Sequence, residues 1–195
     1  MKKGYTVKFR RKREGKTDYR SRLKLLASNK SRIVVRRSLR NVMVQFTDLG
    51  EKGDKTLVVG HSRELLQYGW KSHKGNIPSA YLVGYLAGLK AKKEGIKDGV
   101  LDLGLSKAVK GSSFFSAIKG VIDAGINVNC SKEILPDEDT IKGKKIADYA
   151  KSLSNNKDLY SKQFSNYLKI GLKPEDFTKN FEEAKKKIID KWQHR

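Results

Sequence analysis

Nine of the chain's eleven arginines fall within residues 1–40. That segment holds 16 Lys/Arg against 2 acids, whereas residues 101–140 hold 4 against 6. So dense a run of one charge has too little apolar surface to offset the entropy of ordering. The core therefore has to be built from residue 32 onward, beyond the densest part of this charge. Residues 41–100 carry 9 basic and 6 acidic side chains, and residues 141–195 carry 14 and 7, within a total of +22 over 195 residues. The expected organisation is a basic arm with a short helix over residues 1–31, an α/β core over 32–136 and a helical, lysine-rich extension over 137–195.

The kind of positive charge matters as much as its amount. Arginine's planar fork binds phosphate bidentately and stacks on bases, which lysine cannot do. Arginine gathered in an arm therefore points to a structured polyanion, a nucleic acid. Other classes are disfavoured. No run of about 18 apolar residues is present, so no membrane partner is expected. The start, Met1-Lys-Lys-Gly-Tyr-Thr-Val-Lys-Phe-Arg, lacks an apolar signal region, and a cytoplasmic setting is expected. One cysteine, Cys130, forms no internal disulfide, and His61, His73 and His194 lie far apart. No metal or cofactor is expected.

Along the chain, Lys2 to Lys16 is expected to lack order without a partner. Tyr19, Leu23, Leu26 and Ala27 share one face of a short helix, capped by Thr17 or Asp18, with Arg20 and Lys24 on another face. Residues 32–37, 41–50 and 55–60 read as three strands of an antiparallel meander, with a tight turn at 38–40 and a loop over 48–55. A short helix follows Ser62, and a long one opens at Asn76-Ile-Pro-Ser. Gly84 and Gly88 in that helix imply close backbone approach, most simply to the sheet. A strand from Val100, a helix capped by Ser112 or Ser113 and stopped by Gly125, and a strand from Ile126 complete an α/β fold with a mixed sheet. In the extension, helices are expected through Ile146 to Leu153, Tyr160 to Leu168, and Phe177, Phe181, Ala184 and Ile188.

No catalytic motif is visible. Gly111-Ser-Ser reads as a helix cap rather than a phosphate site, Cys130 as a small buried hydrophobe, and His61 as structural or RNA-facing. A two-metal nuclease would need clustered carboxylates. The first strand has none, and Asp48, Glu64, Asp102 and Asp123 are scattered, read as solvated or capping. The chain is not expected to be an enzyme.

Lys8-Phe-Arg-Arg-Lys-Arg-Glu-Gly-Lys-Thr-Asp-Tyr-Arg-Ser-Arg-Leu-Lys-Leu resembles the N-terminal signature of the 5S-rRNA-binding protein family of the large ribosomal subunit, numbered eighteen in bacteria and archaea and five in eukaryotes. Arg32-Ile-Val-Val-Arg-Arg-Ser, Asn76-Ile-Pro-Ser-Ala-Tyr-Leu-Val-Gly and the stretch from Gly111 to Gly125 fit as well, and the long helical end resembles the archaeal form. The resemblance implies a structural component of the central protuberance that attaches 5S rRNA to large-subunit rRNA, with neighbouring ribosomal proteins as partners. It also implies a translation-component fold, related in topology to ribonuclease H but not catalytic.

The residue chemistry assigns roles within that frame. Arg10, Arg11, Lys12 and Arg13 would neutralise phosphates, with Lys8 and Arg20 beside them. Gly15 would let the backbone approach, and Lys16 and Thr17 would reach phosphate or ribose. Tyr19 would stack on a base or pack against Leu23. Arg22 would point toward RNA, and Arg36, Arg37 and Arg40 would extend the footprint along the sheet. A generic nucleic-acid chaperone or nucleoid-type protein is the competing reading, since a basic arm on a neutral core suffices for it.

Overall fold

The computed structural model describes residue 4 and residues 6–51 and 53–193. Lys2, Lys3 and His194 therefore lie outside the described residues. The arm contains two helices, α1 (Arg10–Arg13) and α2 (Tyr19–Leu26). The first corrects the expectation of an unstructured stretch up to Lys16. Its turn is closed locally, by the Lys12 and Arg13 amides donating to the Phe9 carbonyl. The second corrects the expected face. Arg22, Leu25 and Leu26 turn inward with Tyr19, while Leu23 is 70% exposed.

A five-stranded sheet follows, whose strands lie in the spatial order 53–61, 42–50, 32–37, 98–102 and 127–128. β1 (Arg32–Arg37) and β2 (Val42–Gly50) pair antiparallel, with Ile33 opposite Phe46 and Val35 opposite Val44. β3 (Gly53–His61) continues the meander from the far side of β2. Of the loop expected over 48–55, residues 48–50 and 53–55 are instead paired strand, and Lys52 lies outside the described residues. Asp48 lies opposite Lys55, Leu49 opposite Asp54 and Gly50 opposite Gly53. Ladder hydrogen bonds claim the residues on either side of the link. After β3 comes a 3-10 turn at Glu64–Tyr68 that Ser62 does not cap. The Ser62 hydroxyl accepts from the Val42 amide and donates to Asn41 Oδ1 instead.

The long helix α3 (Ile77–Lys93) opens as expected, with Asn76 Oδ1 accepting from the Ser79 amide. It runs to β4 (Asp98–Asp102), then α4 (Ser113–Asp123), then β5 (Asn127–Val128). β4 pairs parallel with both β1 and β5, which makes the sheet mixed. Helix α4 starts after Ser112 without a side-chain cap, and among the described residues the hydroxyls of Ser112 and Ser113 have no partner.

The glycines of α3 do not face the sheet. A Cβ on Gly84 would collide with the Ala117 carbonyl of α4, and one on Gly120 of α4 would collide with the Tyr81 carbonyl of α3. The two helices exchange bare backbone, which lets them pack far closer than side chains allow. Ile33, Val35, Val44 and Phe46 point from the sheet into the layer these helices form, and all four are fully buried.

The extension folds onto the same core. Helices α5 (Glu138–Ile141) and α6 (Lys144–Leu153) replace a single stretch, because Gly143 between them takes a left-handed φ of 75° beneath the Phe177 ring. Helices α7 (Lys157–Gln163) and α8 (Ser165–Lys169) meet at the buried Phe164, and α9 (Phe177–Gln193) closes the chain. Phe177 and Phe181 set their rings against Trp70 at 5.4 and 6.5 Å, edge-on in both cases. Among the described residues no helix is long and apolar enough to cross a membrane.

Candidate nucleic-acid interface

The arm is held by its own short-range chemistry. Asp18 caps α2, accepting from the Arg20 and Ser21 amides at 3.0 and 3.3 Å and from the Ser21 hydroxyl at 2.7 Å. Those bonds, the Ser21 hydroxyl first, hold its carboxyl below the usual range. Arg11 Nε donates to Thr17 Oγ1 at 2.8 Å, and the Lys16 amide donates to the Arg11 carbonyl. Gly15, at φ 61°, supplies the left-handed residue that turns the chain from α1 toward α2. Thr17 thus orients Arg11 from within the arm, and Gly15 acts as a turn residue.

This frame leaves the cations outward. Lys8, Arg10, Arg11, Lys12, Arg13, Lys16 and Arg20 are all exposed. Glu14 lies 2.9 Å from Lys16 and 3.9 Å from Arg10, in surface pairs worth little in water. Among the described residues Lys8, Lys12, Arg13 and Arg20 have no ion pair. Phe9, which sequence reading passed over, packs on Tyr19 with ring centroids 5.2 Å apart and is 71% exposed. An aromatic ring left in water between Lys8 and Arg10 was the available signal. Tyr19 itself is half-buried against Phe9, not against Leu23.

Arg22 behaves differently from its expected role. Its guanidinium grips Asp54 bidentately, at 2.7 and 2.8 Å, and does not reach outward. Arg32 lies beneath it, only 3% exposed, 2.6 Å from Asp54 and 3.1 Å from Asp102. Arg36 completes the chain of charges at 3.3 Å from Asp102, with about 43% of its side chain exposed. These groups and the arm bound a cleft of about 1160 Å³ over the sheet face opposite α3 and α4. Its floor is Arg32, Val34 and Arg36 of β1 with Gln45 and Thr47 of β2. The Arg22 guanidinium, followed by that of Arg32, holds the Asp54 carboxyl down to about 2 against the opposing effect of burial.

Arg37 and Arg40 are exposed and lie beyond this network, at the opposite end of β1. The structure therefore gathers residues 8–20 into one cationic surface, ties Arg22 and Arg36 into an internal network and sets Arg37 and Arg40 apart.

The carboxylates considered for a nuclease are also tied up separately. Asp102 is 7% exposed and serves Arg32 and Arg36, a correction to its reading as solvated. Asp123 accepts from the Tyr81 hydroxyl and pairs with Lys119, and Glu64 pairs with Lys90. Asp48 has one buried oxygen without a partner. His61 Nδ1 accepts from the Arg63 amide, and Cys130 is half-buried beside the core.

A sheet-and-helix core that carries an outward-facing cationic arm defines a class: a basic α/β protein whose charge suits a polyanion. Within that class, the model for a family described as ribosomal large subunit proteins 60S L5 and 50S L18 matches residues 3–99. The chain belongs to this family. It is a protein of the large ribosomal subunit, located with the ribosome in the cytoplasm, and the family is one of ribosomal structural proteins rather than enzymes. The matched stretch takes in the arm, the meander and α3, and ends within β4.

Proposed function

We propose that this protein binds 5S rRNA through its arm and attaches it to large-subunit rRNA in the central protuberance, beside neighbouring ribosomal proteins and with no catalytic role. The observation that carries this reading is the run Lys8 to Arg13, fixed outward on a helical turn with one carboxylate, Glu14, close by. An A-form duplex hides its base edges in a deep groove, so proteins hold it by phosphate and 2′-hydroxyl or read unstacked loops. Arg11 and Arg13 meet phosphates, Lys12 and Lys16 add charge, and the exposed Phe9 ring, backed by Tyr19, offers a platform for one unstacked base.

The test is a titration with refolded 5S rRNA over a salt series, with tRNA as competitor. The expected result is binding that tRNA does not displace. Arg11→Ala with Arg13→Ala should lower the slope of log affinity against log salt by roughly 2. An unchanged slope removes the arm from the interface. Equal affinity for 5S rRNA, tRNA and duplex DNA would mark a generic nucleic-acid chaperone instead.

A further inference from the structure

The most exposed apolar side chain among the described residues lies far from the arm. Leu39, in the turn between β1 and β2, is 91% exposed. The turn that holds it is closed by hydrogen bonds. The Ser38 amide donates to the Asn41 carbonyl at 2.8 Å, and the Ser38 hydroxyl accepts from the Asn41 amide at 3.0 Å. Asn41 is fixed in turn by the Ser62 hydroxyl. Behind the turn lies the 73–75 segment, so close that a Cβ on Gly75 would fall 2.9 Å from the Leu39 carbonyl oxygen.

The surroundings are cationic. His73, in this same place, has its imidazole pKa pushed down by burial first, and then by the charges of Arg37, Arg40 and Lys74. The ion pairs of the β1 arginines stop at Arg36. Among the described residues Arg37, Arg40 and Lys74 have none. Five residue steps separate Arg32, beneath the arm, from Arg37, or roughly 16 Å along the strand. The turn and the arm therefore meet different stretches of any bound polyanion.

We propose that this turn is a second RNA-contact point, at which Leu39 wedges against an unstacked base while Arg37, Arg40 and Lys74 hold the flanking phosphates. An apolar wedge braced by cations is the device that opens base steps in nucleic acids. A regular duplex resists such entry, so the fitting ligand is RNA with a bulge, loop or junction whose base is already free. Three unneutralised cations around one leucine favour a phosphate backbone over a protein surface. The proposal rests on the RNA-binding reading above and adds a site to it.

The test uses the full chain with photo-leucine at position 39, irradiated on refolded 5S rRNA and on a large-subunit rRNA transcript. The expected result is a crosslink to an unpaired nucleotide of one of them. Leu39→Ser should weaken binding to that RNA about tenfold without changing the salt slope, because no charge is lost. It should leave the melting temperature as it is, since the side chain touches little of its own protein. A crosslink in assembled subunits only to a ribosomal protein, or no crosslink at all, overturns the proposal. The Arg11→Ala, Arg13→Ala protein separates the two ideas. If it loses RNA while position 39 finds none, only the second contact falls. If it binds RNA as the parent does, the arm reading falls instead.

Discussion

The arm and the extension are both basic and both helical, yet they sit on the core in opposite ways. Helix α2 has no fully buried residue and is moored by one polar grip, Arg22 on Asp54. Helix α9 buries Phe177, Phe181, Ala184 and Ile188 on one face. Its lysines are partly used at home: Lys185 lies 4.9 Å over the Tyr81 ring and Lys191 lies 5.2 Å over the Tyr68 ring. Burial first, with Lys142 and Lys119 against Asp123 and Glu138, lowers the Lys185 pKa. In the arm, Arg22 is the arginine used that way, and among the described residues Arg13 and Arg20 have no ion pair. Net positive charge therefore does not say what a segment is for. An apolar stripe at helical spacing folds a basic segment onto its own core, and its absence leaves the charge for a partner.

The sharpest way to break this contrast is to remove one aromatic ring from each region. Phe177→Ala should cost about 3–5 kcal/mol, read from the urea midpoint, because a fully buried ring leaves a cavity against Trp70. Phe9→Ala should move stability by less than about 0.5 kcal/mol and yet weaken RNA binding by about 1–3 kcal/mol. A large stability loss in the second protein would mean that the arm, too, is core.

Asp102→Ala should come next, at about 3 kcal/mol in the same measurement, because it strips one counter-charge from the buried Arg32. A cost below about 1 kcal/mol would show that Asp54 alone satisfies that arginine. The grip of Arg22 on Asp54 gives a smaller, pH-dependent effect. The Asp54 carboxyl is lowered from 3.8 to about 2, so its contribution is complete above pH 4 and is lost as the pH falls toward 2. In NMR the Asp54 carboxyl signal should titrate near pH 2, with the Arg22 Hε signal moving alongside. Titration near 3.8 would mean that α2 is not moored. The smallest effect belongs to Leu23→Ser, expected to change stability by less than about 0.5 kcal/mol for a side chain 70% exposed.

Much of the architecture is legible in residue order. β1, β2, α3 and the buried face of α9 follow from β-branched runs, an Asn cap before proline, and apolar spacing that matches the helical period. Three of the misreadings share one cause, a partner distant in sequence. Leu23 looked inward until Arg22 found Asp54, 32 residues away, and turned the helix. Asp102 looked solvated until β4 came to lie beside β1 and placed it against Arg32. Gly84 pointed correctly to close approach, but the approaching backbone is that of α4. Phe9 escaped notice because an exposed ring has no period to betray it.

The sequence by itself determined the segregation of charge, the identity of the arm, the strand and helix inventory of the core and the amphipathic stripe of α9. Each is set by composition or by spacing within one segment, where local sterics and burial periodicity decide. Only the tertiary structure decided which arginines stay free. Arg22, Arg32 and Arg36 are neutralised by carboxylates brought from β3 and β4, whereas Arg13, Arg37 and Arg40 meet none among the described residues. The reason is that Coulomb attraction acts through space and is strong only at a few ångströms, so a charge's role is fixed by its neighbours in the fold and not by its neighbours in the chain.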